Sequence, residues 1–221
     1  MLKMSISNPQ VAIAGKVVEG ETERVIAGAV VEIIEMPKRF QAILALKALP
    51  YGSRWEKMRD TPGRSGYRDR PDCKITDNNG YFYFVDLPPG EYLLEASLPG
   101  SGTRYSKVQK KVKISHSVNG KNSTMMANMV LSPTGIKGTI SEVNDPKKVI
   151  LNAKIQVQGS PESAISNQKG NYHLLGLESA KSGQSTVTLI VFATGYQQVS
   201  QSVVIQQGAI ISNQNFSLNP Q

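Results

Sequence analysis

One cysteine and two histidines are all that 221 residues offer for thiolate or imidazole chemistry. The lone Cys73 excludes a disulfide framework within the chain and has no plausible catalytic partners. His116 and His173 lie far apart, and neither has a cysteine or carboxylate at metal-ligand spacing, so no metal or cofactor is expected. Phosphate loops and Gly-x-Ser-x-Gly elbows are also missing, and no enzyme is expected. Aromatic residues are only 6% of the chain, so any core must rest on Val, Ile and Leu. No apolar run approaches the roughly 18 residues of a membrane-spanning helix. Residues 1–10 lack an apolar stretch and a small-residue cleavage site, which reads as no secretory signal and predicts a protein kept in the cytoplasm, part of a particle assembled there, or exported by a route that uses no N-terminal signal.

What is present is an internal repeat. Thr76-Asp77-Asn78-Asn79-Gly80-Tyr81-Phe82-Tyr83-Phe84-Val85-Asp86-Leu87 returns as Ser166-Asn167-Gln168-Lys169-Gly170-Asn171-Tyr172-His173-Leu174-Leu175-Gly176-Leu177. In each copy a polar turn closed by Gly leads into an alternating strand and then a corner Leu. Alternation predicts strands at 11–18, 27–34, 81–85, 91–98, 108–114 and 125–131. The plan restarts at 136–140, 153–159, 170–175, 186–192, 202–205 and 215–218. Gly80 to Leu131 and Gly170 to Leu218 are similar intervals, 51 and 48 residues, whereas Gly15 to Gly80 exceeds Gly138 to Gly170 by 33. An insertion at 37–74 in the first copy accounts for that surplus. The expected organisation is all-β: a tail at 1–10, an antiparallel sandwich at 11–133 carrying the insertion, and a second at 134–221. The joint at 132–135 is too short for a flexible tether, which predicts a semi-rigid rod.

These residues resemble the carboxypeptidase regulatory-like modules, a transthyretin-like and Ig-like sandwich family related to CnaB-type modules. The resemblance rests on Gly15-Lys16-Val17, Gly28-Ala29-x-Val31, Thr76-Asp77-x-x-Gly80-x-Phe82, Leu87-x-x-Gly90-x-Tyr92 and Leu131. In the second copy it rests on Gly138-Thr139-Ile140, Ala153-x-Ile155-x-Val157, Gly170-x-Tyr172, Leu177 and Gly195-Tyr196. The second copy departs at 178–183, where the first has its Pro-Pro-Gly turn. The resemblance covers nearly the whole chain except 37–74. It implies a non-catalytic spacer, binding appendage or assembly part. With a cytoplasmic start it suggests an accessory component of a phage-tail-like contractile injection particle, with other protein subunits as partners. The runner-up is a carbohydrate- or surface-ligand-binding module. CnaB-type modules also form a Lys–Asn isopeptide bond promoted by a Glu. Glu95 stands at the place of that Glu, Asn128 lies on the closing strand, and Lys16 on the first strand reads as outward-facing.

The net charge of +8 is concentrated in the insertion. Lys38, Arg39, Lys47, Arg54, Lys57, Arg59, Arg64, Arg68, Arg70 and Lys74 face only Glu56, Asp60, Asp69 and Asp72 there, a surplus of six. Residues 38–49 are helix formers bounded by Pro37 and Pro50. Phe40, Ile43, Leu44 and Lys47 share a stripe, with Leu46 and Leu49 partly off it. The sole Trp, Trp55, stands among Tyr51, Arg54, Met58 and Arg59, a composition enriched at interaction hot spots. The candidate partner-binding residues are therefore Phe40, Tyr51, Arg54, Trp55, Met58 and Arg59. A structural alternative is that the helix covers an open edge or face of the first sandwich. A further alternative is phosphate contact, in nucleic acid or an anionic membrane, by the arginines from Arg64 to Arg70. Interspersed acids and the lack of a nucleic-acid motif count against that. Asp77-Asn78-Asn79-Gly80 resembles the start of a calcium loop but lacks the downstream acids, and reads as a turn.

Overall fold

The computed structural model describes residues 9–58, 70–115, 123–181 and 183–221. Of the expected tail at 1–10, only Pro9 and Gln10 fall among them. The chain divides into two compact units, Met1–Gly100 with Lys107–Leu131, and Ser101–Ser106 with Ser132–Gln221.

The first unit comprises β1 (Val11–Glu19), β2 (Val30–Glu35), β3 (Cys73–Ile75), β4 (Tyr81–Val85), β5 (Gly90–Ser97), β6 (Val108–Ile114), β7 (Met125–Met126) and β8 (Met129–Leu131). One sheet runs β4-β1-β7, with β8 also on β1, and the other runs β3-β2-β5-β6. Their alternating strands bury Ile13, Val17, Ile33, Phe84, Leu94 and Leu131. The second unit comprises β9 (Gly135–Glu142), β10 (Lys154–Val157), β11 (Ser163–Ile165), β12 (Asn171–Leu175), β13 (Gln184–Phe192), β14 (Val199–Gln206), β15 (Ile210–Ile211) and β16 (Phe216–Leu218). Its sheets run β12-β9-β15, with β16 also on β9, and β11-β10-β13-β14. Strand for strand, this is the plan of the first unit, around a core of Ile136, Ile140, Ile155, Tyr172, Leu189 and Leu218.

The two tandem antiparallel sandwiches are present as expected, and each closes with one parallel pairing. The closing strand pairs parallel with the opening one, β7 and β8 on β1, β15 and β16 on β9. A crossover from the opposite sheet delivers the last strand in the same direction as the first. The same closure explains why one expected strand is split in two. Ala127 N donates to Ala14 O at 2.8 Å, and Asn128 Oδ1 accepts from Lys16 N at 3.1 Å. In the second unit Gln214 N donates to Lys137 O at 3.1 Å, and Asn215 Oδ1 accepts from Thr139 N at 2.9 Å. The backbone bulges so close that a Cβ on Gly15 would lie 2.3 Å from Ala127 O, and one on Gly138 2.0 Å from Gln214 O. Only glycine fits there.

The sequence repeat is also a repeat of bonds. Asp77 Oδ1 accepts from Asn79 N and Tyr81 N at 2.9 and 2.8 Å, and Asn167 Oδ1 from Lys169 N and Asn171 N at 2.9 and 3.1 Å. Thr76 Oγ1 accepts from Ala29 N and donates to Ile26 O, while Ser166 Oγ accepts from Ala153 N and donates to Ile150 O. These buried hydroxyls satisfy backbone groups where the second strand of each unit begins.

Within the second unit, Ser101–Ser106 is tied down by polar bonds. Thr134 Oγ1 donates to Thr103 O, Thr103 Oγ1 donates to Ser179 O, and Ser179 N donates to Thr103 Oγ1, each at 2.8 Å. Arg104 Nη1 pairs with Glu162 Oε1 at 2.7 Å and donates to Gly176 O.

Candidate functional site

The insertion leaves β2 at Glu35 and returns at Cys73, carrying α1 (Lys38–Ala48) and α2 (Arg54–Lys57). Pro37 caps α1 with φ −62°, and its carbonyl accepts the N–H groups of Phe40 and Gln41. Lys47 in the last turn is favourably placed against the helix carbonyls. Leu49 keeps helical dihedrals, φ −49° and ψ −48°, and Pro50, which has no N–H to donate, ends the helix there.

Buried side chains seat the insertion on the first unit. Phe40, 2% exposed, meets Tyr92 edge-to-face with centroids 5.9 Å apart. The Tyr92 hydroxyl donates to Pro88 O at 2.6 Å, and burial pushes its pKa well up. Trp55, 6% exposed, lies under the Arg70 guanidinium, whose Cζ is 4.4 Å from the ring centroid. Arg70 Nη1 donates to Trp55 O at 2.7 Å, while Nε and Nη2 donate to Asp72 Oδ1 and Oδ2 at 3.0 and 2.7 Å. Burial alone would pull the Arg70 pKa down, but the bonds and charge of Asp72 outweigh it and hold it above its ordinary value. Lys74 donates to Arg70 O at 3.2 Å, and its own burial lowers its pKa. Ile33 N donates to Asp72 O at 2.8 Å, so the returning chain continues the edge begun by β3.

This geometry places two of the six candidate residues inside the unit. Phe40 and Trp55 are inward anchors, because each finds an aromatic or cationic partner within the unit. Tyr51 and Arg54 stay exposed, and Met58 is half-buried. Arg59 lies outside the described residues, as do Arg64 and Arg68. Arg70 is not open to phosphate, because Asp72 and Trp55 occupy its fork. The exposed apolar residues are ones given less weight in the sequence, Leu46 at 68% and Leu49 at 74%.

A second surface went unmarked in the sequence. Tyr83, Ala14 and Met126 stand in one cross-strand row on the outer face of the β1 sheet. Tyr81 faces Lys16 in the next row, and Val18 faces Val130 further along. Tyr81, Tyr83, Met126 and Val130 are all exposed, and Lys16 Nζ sits 5.2 Å from the Tyr81 ring centroid. The equivalent rows of the second unit are His173 with Lys137, Asn171 with Thr139, and Ser217 with Ser141. The signal was legible: Tyr81-Phe82-Tyr83-Phe84 is aromatic on both faces, whereas a strand with one wet face alternates apolar with polar.

The isopeptide trio is not assembled. Glu95 accepts from Lys107 at 2.7 Å and Gln109 at 2.9 Å on the outward face of β5. Its burial would raise its pKa, but these two bonds outweigh that and lower it. Lys16 points at Tyr81, and Asn128 serves as a backbone clasp. Asp77 spends a carboxylate oxygen on two N–H groups of its own turn. Cys73 is fully buried and His173 is an exposed strand residue, while His116 lies outside the described residues. Among the described residues, no three His, Cys, Asp or Glu side chains gather as a metal set. Among them too, no helix is long and apolar enough to cross a membrane.

No family model matches the chain. No curated protein matches it either. Among solved structures, a streptococcal ancillary pilin is similar over 98% of this chain and 64% of its own, at 14% identity and a TM-score of 0.37. The Bacillus anthracis TIE protein is similar over 96% of this chain and 34% of its own, at 16% identity and a TM-score of 0.32. The shaft pilin spaA from Lactobacillus rhamnosus GG is similar over 97% of this chain and 98% of its own, at 11% identity and a TM-score of 0.40. The chain thus spans less than two thirds of the first two. None of the three reaches a TM-score of 0.5, and none is a pointer to the contractile injection particle expected above.

Proposed function

We infer that this chain is a non-enzymatic structural module that joins a larger protein assembly through the insertion of its first unit. One observation carries the reading. The insertion is seated by Phe40, Trp55 and Arg70, yet leaves Leu46 and Leu49 exposed beside Tyr51, Lys47 and Arg54. Large apolar side chains held out on an anchored element mark an interaction surface. Their basic surroundings favour a protein partner with an apolar pocket rimmed by acids, since complementary charge steers encounter and selects partners.

The test places a photo-reactive residue at position 49 of the full chain and cross-links it in its source cells. The expected result is a defined protein adduct that is lost in the Leu46→Glu, Leu49→Glu double variant and weakened by salt. Adducts indifferent to the double variant would overturn the reading.

A second reading, a carbohydrate- or other surface-ligand module, is favoured by Tyr81 and Tyr83 alone. Two exposed rings two residues apart on one sheet face form a platform on which a sugar face can stack. Glycan-array binding abolished by Tyr83→Ala but not by the Leu46→Glu, Leu49→Glu variant would select it.

A further inference from the structure

Every charged side chain of this +8 protein lies in residues 1–181, and residues 182–221 contain no Asp, Glu, Lys, Arg or His. That stretch includes β13 and β14, and among the described residues β14 is an end strand of its sheet, paired with β13 alone. The corresponding end strand of the first unit, β6, carries Lys110, Lys111 and Lys113 and is preceded by Lys107. Lysines are a common means of blunting a strand edge against further pairing. The β14 sequence, Val-Ser-Gln-Ser-Val-Val-Ile-Gln, has neither charge nor proline.

The register shows which backbone groups face out. Gln158 N donates to Thr188 O, so the even-numbered residues of β13 serve β10 and the odd-numbered ones serve β14. Thr188 is opposite Ser202, and alternation along β14 therefore turns the N–H and C=O groups of Ser200, Ser202 and Val204 toward the open edge. Among the described residues, no backbone bond reaches them from that side. Their side chains are exposed on the outer face, while Val203 and Ile205 point into the core.

We propose that β14 is a self-association edge, which pairs antiparallel with β14 of a second copy of this chain about a two-fold axis at Ser202. In that register Ser202 faces Ser202 and Ser200 faces Val204, the very residues whose N–H and C=O groups point outward with no backbone bond among the described residues. Directly opposed residues exchange both bonds, and each copy keeps its buried face on the same side. A second copy is the occupant because a chain of +8 repels itself, and this edge is where two copies meet without opposing charge. A strand of eight residues a side is well short of the roughly 20–30 of a standard interface, so the dimer is weak and concentration-dependent.

The test is sedimentation velocity of the full chain over a wide concentration range. Ser202→Lys and Ser202→Glu are each compared alone and then mixed in equal amounts. The expected result is a reversible dimer for the native chain, loss of dimer in either variant alone, and its return on mixing, because opposite charges then meet across the axis. Thermal unfolding confirms that each variant folds, and amide exchange at Ser200, Ser202 and Val204 slows as concentration rises. A native chain that stays monomeric, or a dimer indifferent to both substitutions, overturns the proposal. The Leu46→Glu, Leu49→Glu variant is expected to dimerise normally, which separates this edge from the insertion.

Discussion

Arg70 and Asp72 hold each other through two parallel hydrogen bonds, 3.0 and 2.7 Å long, with both side chains almost wholly out of water. A buried pair of this kind is costly to halve. Arg70→Met is expected to destabilise the first unit by about 3–5 kcal/mol, because it strips a buried carboxylate of the cation that grips both its oxygens. Arg70→Lys keeps the charge but loses the fork and its stacking on Trp55, and is also expected to destabilise. Replacing both partners, Arg70→Met with Asp72→Leu, should recover much of the loss. Urea unfolding followed by the fluorescence of Trp55, the only tryptophan, reads all three.

The glycines under the closing strands make a paired prediction. Gly15→Ala and Gly138→Ala each drive a methyl into a backbone carbonyl, which cannot rotate away. Each is expected to cost about 3 kcal/mol, the upper end for overpacking. The measurement is the loss in unfolding free energy of each variant. A neutral result at either position would mean that the closing strand shifts freely there.

Within the insertion, stability and surface separate by residue. Phe40→Ala removes a buried ring and is expected to cost about 3–5 kcal/mol. Leu46→Glu alters an exposed position and should stay within about 0.5 kcal/mol of the native chain. Parallel denaturant titrations check this division.

Acid should weaken the fold through three carboxylates. Glu142 is held below its ordinary value of 4.5 by Lys148 and, less strongly, Tyr196. Glu162 is lowered chiefly by Arg104, and Glu95 by Lys107 and Gln109 against its own burial. A carboxyl whose folded pKa lies below its unfolded one adds stability that is complete above the unfolded value, here 4.5. That contribution is lost as the pH falls through the lowered folded values. Denaturation midpoints should therefore drop below pH 4.5, and Lys148→Met should remove part of the slope.

The intact mass should equal that of the unmodified chain. Glu95, Lys16 and Asn128 each have other partners, so no ammonia should be lost to an isopeptide bond. A deficit of one ammonia would contradict that arrangement.

The repeat made much of the fold legible, since Thr76 to Leu87 and Ser166 to Leu177 carry the same turn, hydroxyl bridge and strand. β3, β11 and β15 were not legible, because two or three residues are too few for alternation to register. The parallel closure was hidden for another reason: strand direction depends on the path of a crossover, not on local pattern. At the insertion, composition marked an interaction-rich segment without distinguishing anchor from surface. Trp55 turns inward because Arg70, fifteen residues on, covers its ring and binds its carbonyl. That partnership is tertiary, and a count of basic residues gives Arg70 the opposite role, as a free cation.

The segment Ser101–Ser106 bears on how such a protein is inherited and engineered. In sequence it joins β5 to β6 of the first unit, yet it belongs to the second. A gene fragment beginning at Ser132 would encode a sandwich stripped of Thr103 and Arg104, with Ser179 and Glu162 bereft of their partners. A fragment ending at Leu131 would carry a hairpin loop shaped for a fold it no longer has. A graft of the second unit keeps the bonds to Ser179, Thr134 and Glu162 only if that six-residue loop is carried with it.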